Sequence, residues 1–236
     1  MNKKEQTAFV SACLLGDGSL RKSDKNARYA LSQLATHEDY VLWQQKQFES
    51  FVGTQLTYQD AYQDSCNHKP QYRLYTKVHP FLTTLYERWY FDGRKTVSPH
   101  DLKLLDWQML AIWYMDDGYI SNGEFERTRG DMWLCTDNFT FAEISMLQKA
   151  LYEKLNLPFN IRRRPTKTTV RYRLCLTRKF ADAMRIGIEP YIFPSFAYKL
   201  FARKTPATPD DEIVCSDQLN DQTLAEMTNA DVNNIV

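Results

Sequence analysis

The sequence repeats itself at an offset of 100 residues, and this repeat constrains the fold more than any other feature of the chain. Residues 15–18 (LGDG) return as residues 115–118 (MDDG), and residues 72–74 (YRL) return unchanged as residues 172–174. Further matches in the same order pair Thr36 with Thr136 and, more loosely, residues 93–99 with residues 193–199. Several matches at one offset indicate a duplicated structural unit.

Both copies predict the same order of elements, helix-hairpin-helix-hairpin-helix, which is an α+β arrangement. Apolar residues at three- and four-residue spacing indicate the helices, and alternation indicates the strands. The glycines that follow the first helix predict a left-handed cap there. The first copy predicts helices at 4–16, 37–52 and 79–91 and strands near 19–23, 27–35, 54–63 and 70–77. The second predicts helices at 106–116, 140–155 and 178–187, a hairpin over 119–136 and strands at 159–165 and 169–177.

Composition indicates a packed, water-soluble protein. Hydrophobic residues make up 43% of the 236 residues and aromatic residues 14%, enough for a core and unlike a disordered chain. The longest apolar run, residues 109–115, is far shorter than the roughly 20 residues that span a bilayer. We therefore expect an intracellular protein with no membrane partner. The five cysteines and four histidines are scattered, which does not predict a zinc site.

The net charge of +1 hides an uneven distribution. Residues 201–236 contain two basic and seven acidic residues, a net charge of −5, so residues 1–200 carry +6. A basic body is modest evidence for a polyanionic partner. The polar segment after residue 201 contains a linker-like stretch at 205–211, and we expect it to be an acidic tail without a stable fold.

Asp17 and Asp117 lie at corresponding positions, each where an apolar helix is predicted to end. The last carbonyl groups of a helix have no partner within it, and the helix end carries a partial negative charge. A carboxylate beside free carbonyls, such as those of Gly16 and Asp116, forms an oxygen site suited to Mg²⁺. Two such ends packed together would suit metal-assisted phosphodiester hydrolysis. An Asp-Gly turn without a catalytic role is the alternative for each aspartate taken singly.

Residues 10–18 (VSACLLGDG) and 110–118 (LAIWYMDDG) resemble the two copies of the nine-residue motif of LAGLIDADG homing endonucleases. Over about residues 4–200 the chain resembles the single-chain, intron-encoded branch of that family. The resemblance implies a pseudo-two-fold pair of αββαββα half-domains, residues 1–104 and 105–200, followed by the tail, 201–236. Each half would carry an antiparallel DNA-binding sheet, and the halves would pack through the two motif helices as a monomer.

The resemblance also implies the activity and the site. The family's metal-binding acids correspond to Asp17 and Asp117, and its basic residues near the cleaved phosphates correspond to Lys95 and Lys199, 78 and 82 residues after the respective aspartates. An ammonium group there would stabilise the charge that develops on the phosphate or polarise the attacking water. The implied reaction is Mg²⁺-dependent cleavage of both strands of a long, asymmetric DNA site with 3′ overhangs; Mn²⁺ is expected to substitute.

Basic and amide side chains on the hairpins predict a surface that reads DNA. A two-stranded ribbon fits the major groove, and Arg and Gln form two-point hydrogen bonds with base edges, while lysines contact phosphates. Any one such residue on a strand is equally consistent with a solvated surface, so the prediction is collective. The predicted DNA-binding residues are Arg21, Lys22, Lys25, Arg28, Gln59, Gln63, Gln71, Arg73, Arg127, Arg129, Arg162, Arg164, Lys167, Arg171 and Arg173.

Three other functions are consistent with parts of the pattern. An intron RNA maturase would share the fold and the basic sheets, with host intron RNA as its partner. A non-catalytic DNA-binding protein would use Asp17 and Asp117 only as helix caps. An unrelated protein with coincidental repeats is the third. The presence of both aspartates favours cleavage, because a protein that only binds nucleic acid has no need of them.

Overall fold

The computed structural model describes residues 1–23, 25–63, 67–121, 130–166 and 169–201. The helices are α1 (Lys3–Leu15), α2 (Glu38–Glu49), α3 (Pro80–Trp89), α4 (Trp107–Asp117), α5 (Phe141–Leu155) and α6 (Arg178–Ile188). The strands are β1 (Ser19–Ser23), β2 (Asn26–Leu34), β3 (Thr54–Gln59), β4 (Tyr62–Gln63), β5 (Asn67–His68), β6 (Gln71–Thr76), β7 (Tyr90–Phe91), β8 (Arg94–Lys95), β9 (Gly118–Ile120), β10 (Met132–Leu134), β11 (Asn160–Pro165) and β12 (Val170–Leu176). Short 3-10 helices cover Ala35–His37, Asp101–Leu104, Glu189–Tyr191 and Pro194–Leu200.

Two four-stranded antiparallel sheets have matching topology. The first has the strand order β1-β2-β6-β3 and the second the order β9-β10-β12-β11. Leu31 pairs with Leu74 in the first sheet, and Leu134 pairs with Leu174 at the equivalent place in the second. These four leucines are buried. The predicted fold class, antiparallel sheets combined with helices in a duplicated arrangement, is confirmed.

The motif helices α1 and α4 lie in the core, in contact with each other. Residues Val10–Leu15 and Met109–Met115 are buried without a break, so neither helix has a polar face along that stretch. Ser11, Ala12 and Ala111 are fully buried, and small residues of this kind let two helix backbones approach closely. Helices buried on all sides are stabilised by packing rather than by amphipathicity.

Each motif helix begins at a side chain that satisfies its first amide groups. Asn2 accepts hydrogen bonds from the amides of Lys4 and Glu5, both at 3.0 Å, and the Glu5 carboxylate accepts from the Asn2 amide at 2.9 Å. This reciprocal pair is a capping box. At the start of α4 the Asp106 carboxylate accepts from the Met109 amide at 2.8 Å. These caps satisfy the N-terminal ends of the two helices, whereas the motif aspartates lie at the C-terminal ends.

The expected left-handed cap after α1 is wrong. Gly16 has φ −98° and ψ −139°, and the positive φ angles among the described residues fall at Asp92, Gly93 and Asn156. Gly16 is needed for a different reason, because a Cβ atom there would lie 2.3 Å from Oδ2 of Asp116. The glycine therefore permits a close approach of the two helix ends.

Met1–Ala202 form one compact unit. The predicted linker and acidic tail lie outside the described residues. The division of this compact unit at residue 104 stays a prediction. Arg127, Arg129 and Lys167 from the predicted DNA surface also lie outside the described residues, as does the side chain of Gln63. Among the residues described, none of the helices has the length and apolar character needed to cross a bilayer.

Candidate active site

The C-terminal ends of α1 and α4 lie next to each other. The Asp17 amide donates a hydrogen bond to Oδ2 of Asp116 at 3.2 Å, and the Asp116 side chain occupies the space that a side chain at position 16 would need. The extra acid of the second motif therefore packs against the glycine of the first. This contact brings Asp17, Asp116 and Asp117 into one acidic cluster, in agreement with the prediction that the two helix ends lie together.

The acidic cluster holds more negative charge than its surroundings stabilise. Burial, followed by repulsion from Asp17, raises the pKa of Asp117 to about 7. Burial and repulsion from Asp17 and Asp117 raise the pKa of Asp116 as well. The side chain of Asp17 keeps an exposed surface, yet partial desolvation of its carboxylate raises its pKa too. An additional cation would stabilise the ionised forms of these acids.

Lys95 and Lys199 lie at the two helix ends, where the family resemblance implied basic residues. Nζ of Lys95 donates to the carbonyl oxygens of Gly16 and Gly18 at 2.8 and 3.0 Å. Nζ of Lys199 donates to the carbonyl oxygens of Met115 and Asp116 at 2.6 and 3.3 Å. Burial lowers the pKa of both lysines, whereas the nearby aspartates act in the opposite direction. Each ammonium group therefore neutralises the negative end of a helix dipole.

The expectation that the carbonyls of Gly16 and Asp116 are free is wrong, because each accepts a lysine hydrogen bond. A carbonyl oxygen has two lone pairs, so each retains one for a further partner. Their role as metal ligands stays a prediction. The oxygen donors of the acidic cluster are of the kind that Mg²⁺ and Mn²⁺ prefer. Within the described ranges, no group of three or more His, Cys, Asp and Glu side chains has the arrangement of a metal site.

Short segments, not long helices or strands, carry the two lysines. Lys95 lies on β8, which pairs with β7 through the register Tyr90 with Lys95. The hairpin turn places Asp92 at φ 48° and Gly93 at φ 72°, a left-handed conformation that glycine adopts without strain. Lys199 lies in the 3-10 helix Pro194–Leu200. The sequence predicted neither segment as regular structure.

Gln33 and His37 belong to the site and were missed from the sequence. Nε2 of Gln33 donates to Oδ2 of Asp17 at 2.8 Å and to Oδ1 of Asp116 at 3.2 Å. Nδ1 of His37 lies 3.1 Å from Oε1 of Gln33. The amide therefore links carboxylates from both motifs. A four-residue spacing of polar side chains at the end of β2 was the available signal, but such spacing is common and carries little information alone.

The first sheet gathers most of its predicted DNA-binding residues on one face. Residues paired across strands share a face, and the register pairs Arg21 with Arg28 and Gln59 with Gln71. Arg73 pairs with Ser32, which lies four residues from Arg28 along β2. Lys22 departs from this group, since its Nζ contacts Glu87 of α3 at 3.5 Å on the helix-covered side. Lys25 is exposed at the turn between β1 and β2.

The second sheet places four arginines on one face, but two of them form ion pairs with Asp137. Arg162 pairs with Arg173, and Arg164 pairs with Arg171. Arg173 is buried, and its guanidinium binds the Asp137 carboxylate at 2.7 Å. Arg164 reaches the same carboxylate at 3.3 Å. Arg162 and Arg171 are exposed, so they are the better placed of the four to meet a ligand.

A recess connects this arginine face with the acidic cluster. It is lined by Leu15, Gly16, Lys95, Asp117, Cys135, Thr136, Asp137, Asn138, Phe139 and Arg171. Lys95 comes from the segment after α3, whereas Asp117 and Arg171 come from the second copy of the repeat. An extended anion that lies on the arginines of the second sheet would therefore have access to Asp117 and Lys95.

Removing the charge of Asp117 is expected to stabilise the metal-free protein. Because its pKa is raised from 3.8 to about 7, the folded chain binds this proton more tightly than the unfolded chain. That contribution to stability is full below about pH 4 and is lost as pH rises through 7. Asp117→Asn avoids the loss, so its melting temperature should exceed that of the parent above pH 7, by about 3 °C for each kcal/mol.

Thermal melts from about pH 4 to pH 8 in EDTA measure this effect, since the difference should shrink towards low pH. Asp182→Asn is the matched control, because the Asp182 side chain is 63% exposed and its removal should change the melting temperature little at any pH. Equal melting temperatures for Asp117→Asn and the parent above pH 7 would contradict a pKa of Asp117 raised by burial and charge repulsion.

Two apolar helices end side by side at aspartates, and each leads into a four-stranded antiparallel sheet, which is the arrangement that the resemblance to a two-motif nuclease implied. A sequence profile of the LAGLIDADG DNA endonuclease family matches residues 8–181, and the chain therefore belongs to that family. The resemblance seen in the two motifs is confirmed, and with it the function class, a site-specific DNA endonuclease. The individual roles of the site residues stay predictions.

Curated relatives and solved structures agree with this placement. The chain is 28% identical over 203 residues to the cytochrome b mRNA maturase bI2 of Debaryomyces hansenii, covering 84% of this chain and 74% of the maturase. It is 28% identical over 211 residues to a protein RecA of Mycolicibacterium flavescens, of which it spans 47%. The homing endonuclease I-WcaI, solved bound to its DNA recognition sequence, superposes with a TM-score of 0.71 at 21% identity, covering 85% of this chain and 87% of that one.

Proposed function

We propose that the chain binds a long, asymmetric double-stranded DNA site as a monomer and hydrolyses one phosphodiester bond in each strand, leaving 3′ overhangs. One motif aspartate serves each strand. The observation that carries the proposal is the meeting of two helix ends, each with an aspartate and with a lysine on its last carbonyls. Two sets of an aspartate and a lysine side by side suit a substrate with two antiparallel strands.

Divalent cations, Mg²⁺ with Mn²⁺ as a substitute, would be held by the carboxylates of Asp17 and Asp117 and the remaining lone pairs of the Gly16 and Asp116 carbonyls. Such ions lower the pKa of a bound water and stabilise charge on phosphate oxygens. The fit rests on the oxygen donors and on the raised pKa values of the aspartates, which a cation would reverse. The Gln33 amide holds the carboxylates of Asp17 and Asp116 in a fixed orientation.

Lys95 and Lys199 supply positive charge that does not depend on a metal. Each ammonium group is fixed by two carbonyl oxygens, so its position is set before the substrate binds. A preorganised charge near the developing phosphorane lowers the barrier without the cost of reorganising solvent. The third hydrogen of each ammonium group is available for a phosphate oxygen or the attacking water.

In this proposal the first sheet presents arginine and glutamine side chains to DNA, and the second presents arginines. Arg21, Arg28, Gln59, Gln71 and Arg73 share one face of the first sheet, and Arg162 and Arg171 are exposed on the second. Support comes from I-WcaI, whose structure contains its DNA recognition sequence. If about six phosphates are neutralised, log affinity should fall against log salt concentration with a slope near −5. Affinity that does not change with salt would contradict this surface.

A maturase function is the second candidate, because the relative from Debaryomyces hansenii is named a cytochrome b mRNA maturase. The same basic faces could bind intron RNA, and the two functions are compatible in one chain. Gel mobility with the host intron RNA tests this candidate separately from cleavage. Tight binding to that RNA and not to a scrambled RNA of equal length would support it.

The cleavage proposal is tested with a supercoiled plasmid that carries the gene's natural insertion site. Linear product in Mg²⁺ and none in EDTA is the expected result. A plasmid that lacks the site is the control for non-specific nuclease activity. Binding to the site without linear product in either Mg²⁺ or Mn²⁺ would contradict the proposal and favour a protein that only binds nucleic acid.

A further inference from the structure

The hairpin that carries Lys95 is attached to the second copy of the repeat by a forked ion pair. Nη1 and Nη2 of Arg94 donate to the two carboxylate oxygens of Glu143, each at 3.0 Å. Nη1 of Arg94 also donates to the carbonyl oxygen of Lys95 at 3.1 Å. One guanidinium therefore connects the backbone of Lys95 with the first turn of α5. Parallel bonds of this kind restrict the geometry as well as adding binding energy.

Glu143 is itself held rigidly, so it provides a fixed support for the hairpin. Its carboxylate accepts a hydrogen bond from the Thr140 amide at 2.7 Å, and its own amide donates to the Thr140 hydroxyl at 3.3 Å, which together form the capping box of α5. The carboxylate accepts from the Thr140 hydroxyl as well, at 2.8 Å. It also accepts from the Val97 amide at 3.3 Å. Glu143 is only 7% exposed. Burial alone would raise its pKa, but the bonds from Arg94 and Thr140 bring the pKa below its usual value.

The hairpin needs such a support because it is too small to hold its own shape. β7 and β8 have two residues each, and an isolated two-stranded hairpin is marginally stable in water. Phe91 near its tip is 78% exposed and adds little packing. The ammonium group of Lys95 bonds to the carbonyls of Gly16 and Gly18, but the backbone that presents it depends on contacts made by its neighbours. The bond from Arg94 to the Lys95 carbonyl leads from that backbone to Glu143.

We propose that Glu143 is a positioning residue for Lys95 and acts through Arg94. The acid lies on the copy of the repeat that contains Asp117, whereas Lys95 bonds to the helix end that contains Asp17. Glu143 thus couples the geometry of one motif to the structure of the opposite copy. The consequence for cleavage rests on the function proposed above, but the consequence for the position of Lys95 does not.

Lysine labelling tests the position of Lys95 without any reference to cleavage. Acetic anhydride at limiting concentration, followed by mass spectrometry, reports how available each amine is. Arg94→Met and Glu143→Gln should raise the labelling of Lys95 about tenfold, the usual effect of losing a charge-assisted hydrogen bond. Lys199 is the internal control and should not change. Arg178→Met, at an exposed arginine at the start of α6, is the matched control variant.

A double-mutant cycle then separates positioning from general stability. Arg94→Met should slow cleavage in the parent but not in a Lys95→Met background, because both changes remove one contribution. In a Lys199→Met background the same change should keep its full effect. Melting temperatures and DNA binding in EDTA show whether each variant is folded.

Unchanged labelling of Lys95 in folded Arg94→Met protein overturns the inference, as does an Arg94→Met effect of equal size in both lysine backgrounds. Should Glu143→Gln fail to fold, Arg94→Met decides the matter, because the arginine side chain is 47% exposed and its loss leaves the α5 cap intact. Failure of the proposed function gives a different result, in which the parent does not cleave but the labelling of Lys95 still rises.

Discussion

Asp17→Asn and Asp117→Asn are each expected to abolish double-strand cleavage of the natural target, with a loss of about 10³-fold or more in the rate at the affected strand. Asparagine keeps the shape of the side chain and can still accept the Gln33 hydrogen bond seen at Asp17. It lacks the negative charge that would hold a divalent cation. Chemistry should therefore be lost while the protein remains folded and bound to DNA.

The cleavage product distinguishes the two aspartates. If each acts on one strand, a single substitution leaves a nicked circle, and the double substitution leaves the plasmid uncut. Gel mobility in Ca²⁺ or EDTA should show affinities close to that of the parent, and Asp182→Asn, on the outer face of α6, should cut normally. Linear product at the parental rate from either single variant would mean that the acidic cluster is not the catalytic centre.

Most of the fold was predictable because the hydrophobic pattern is strong where the chain is most buried. The motif helices, predicted at 4–16 and 106–116, are observed at Lys3–Leu15 and Trp107–Asp117. Repetition made the prediction firmer, since each copy checked the other. The meeting of Asp17 and Asp117 at adjacent helix ends was implied by the family resemblance, whereas the apolar pattern alone indicates only that both helices are buried.

Local patterns failed where a position depends on a distant partner. The hairpin of Lys95 has strands of two residues, too short for alternation to indicate them. Gln33 reaches Asp116 across 83 positions of sequence, and Arg173 is engaged by Asp137 across 36. Gly16 looked like a helix cap, yet its small size matters because of Asp116. These features follow from tertiary contacts that composition and periodicity do not encode.

Lys95→Met and Lys199→Met are expected to slow cleavage by about 10²- to 10³-fold, the usual effect of removing one preorganised charge from an active site. Methionine approximates the length and apolar stem of lysine but has no ammonium group. Each substitution also leaves two helix-end carbonyls without their donor, those of Gly16 and Gly18 or those of Met115 and Asp116. Time courses that follow supercoiled, nicked and linear plasmid measure the effect on each strand.

The charges of the acidic cluster also predict how cleavage by the lysine variants depends on pH and on Mg²⁺ concentration. Without Lys95 or Lys199 the acidic cluster loses a cation that lowers the pKa of Asp17 and Asp117, so cleavage by either variant should need a higher pH than cleavage by the parent. A divalent cation can stabilise the ionised aspartates in place of the missing ammonium group, so raised Mg²⁺ should recover part of the rate. Lys103→Met, at an exposed lysine, should behave as the parent. Parental rates and pH dependence in both lysine variants would show that the ammonium groups only cap the helices.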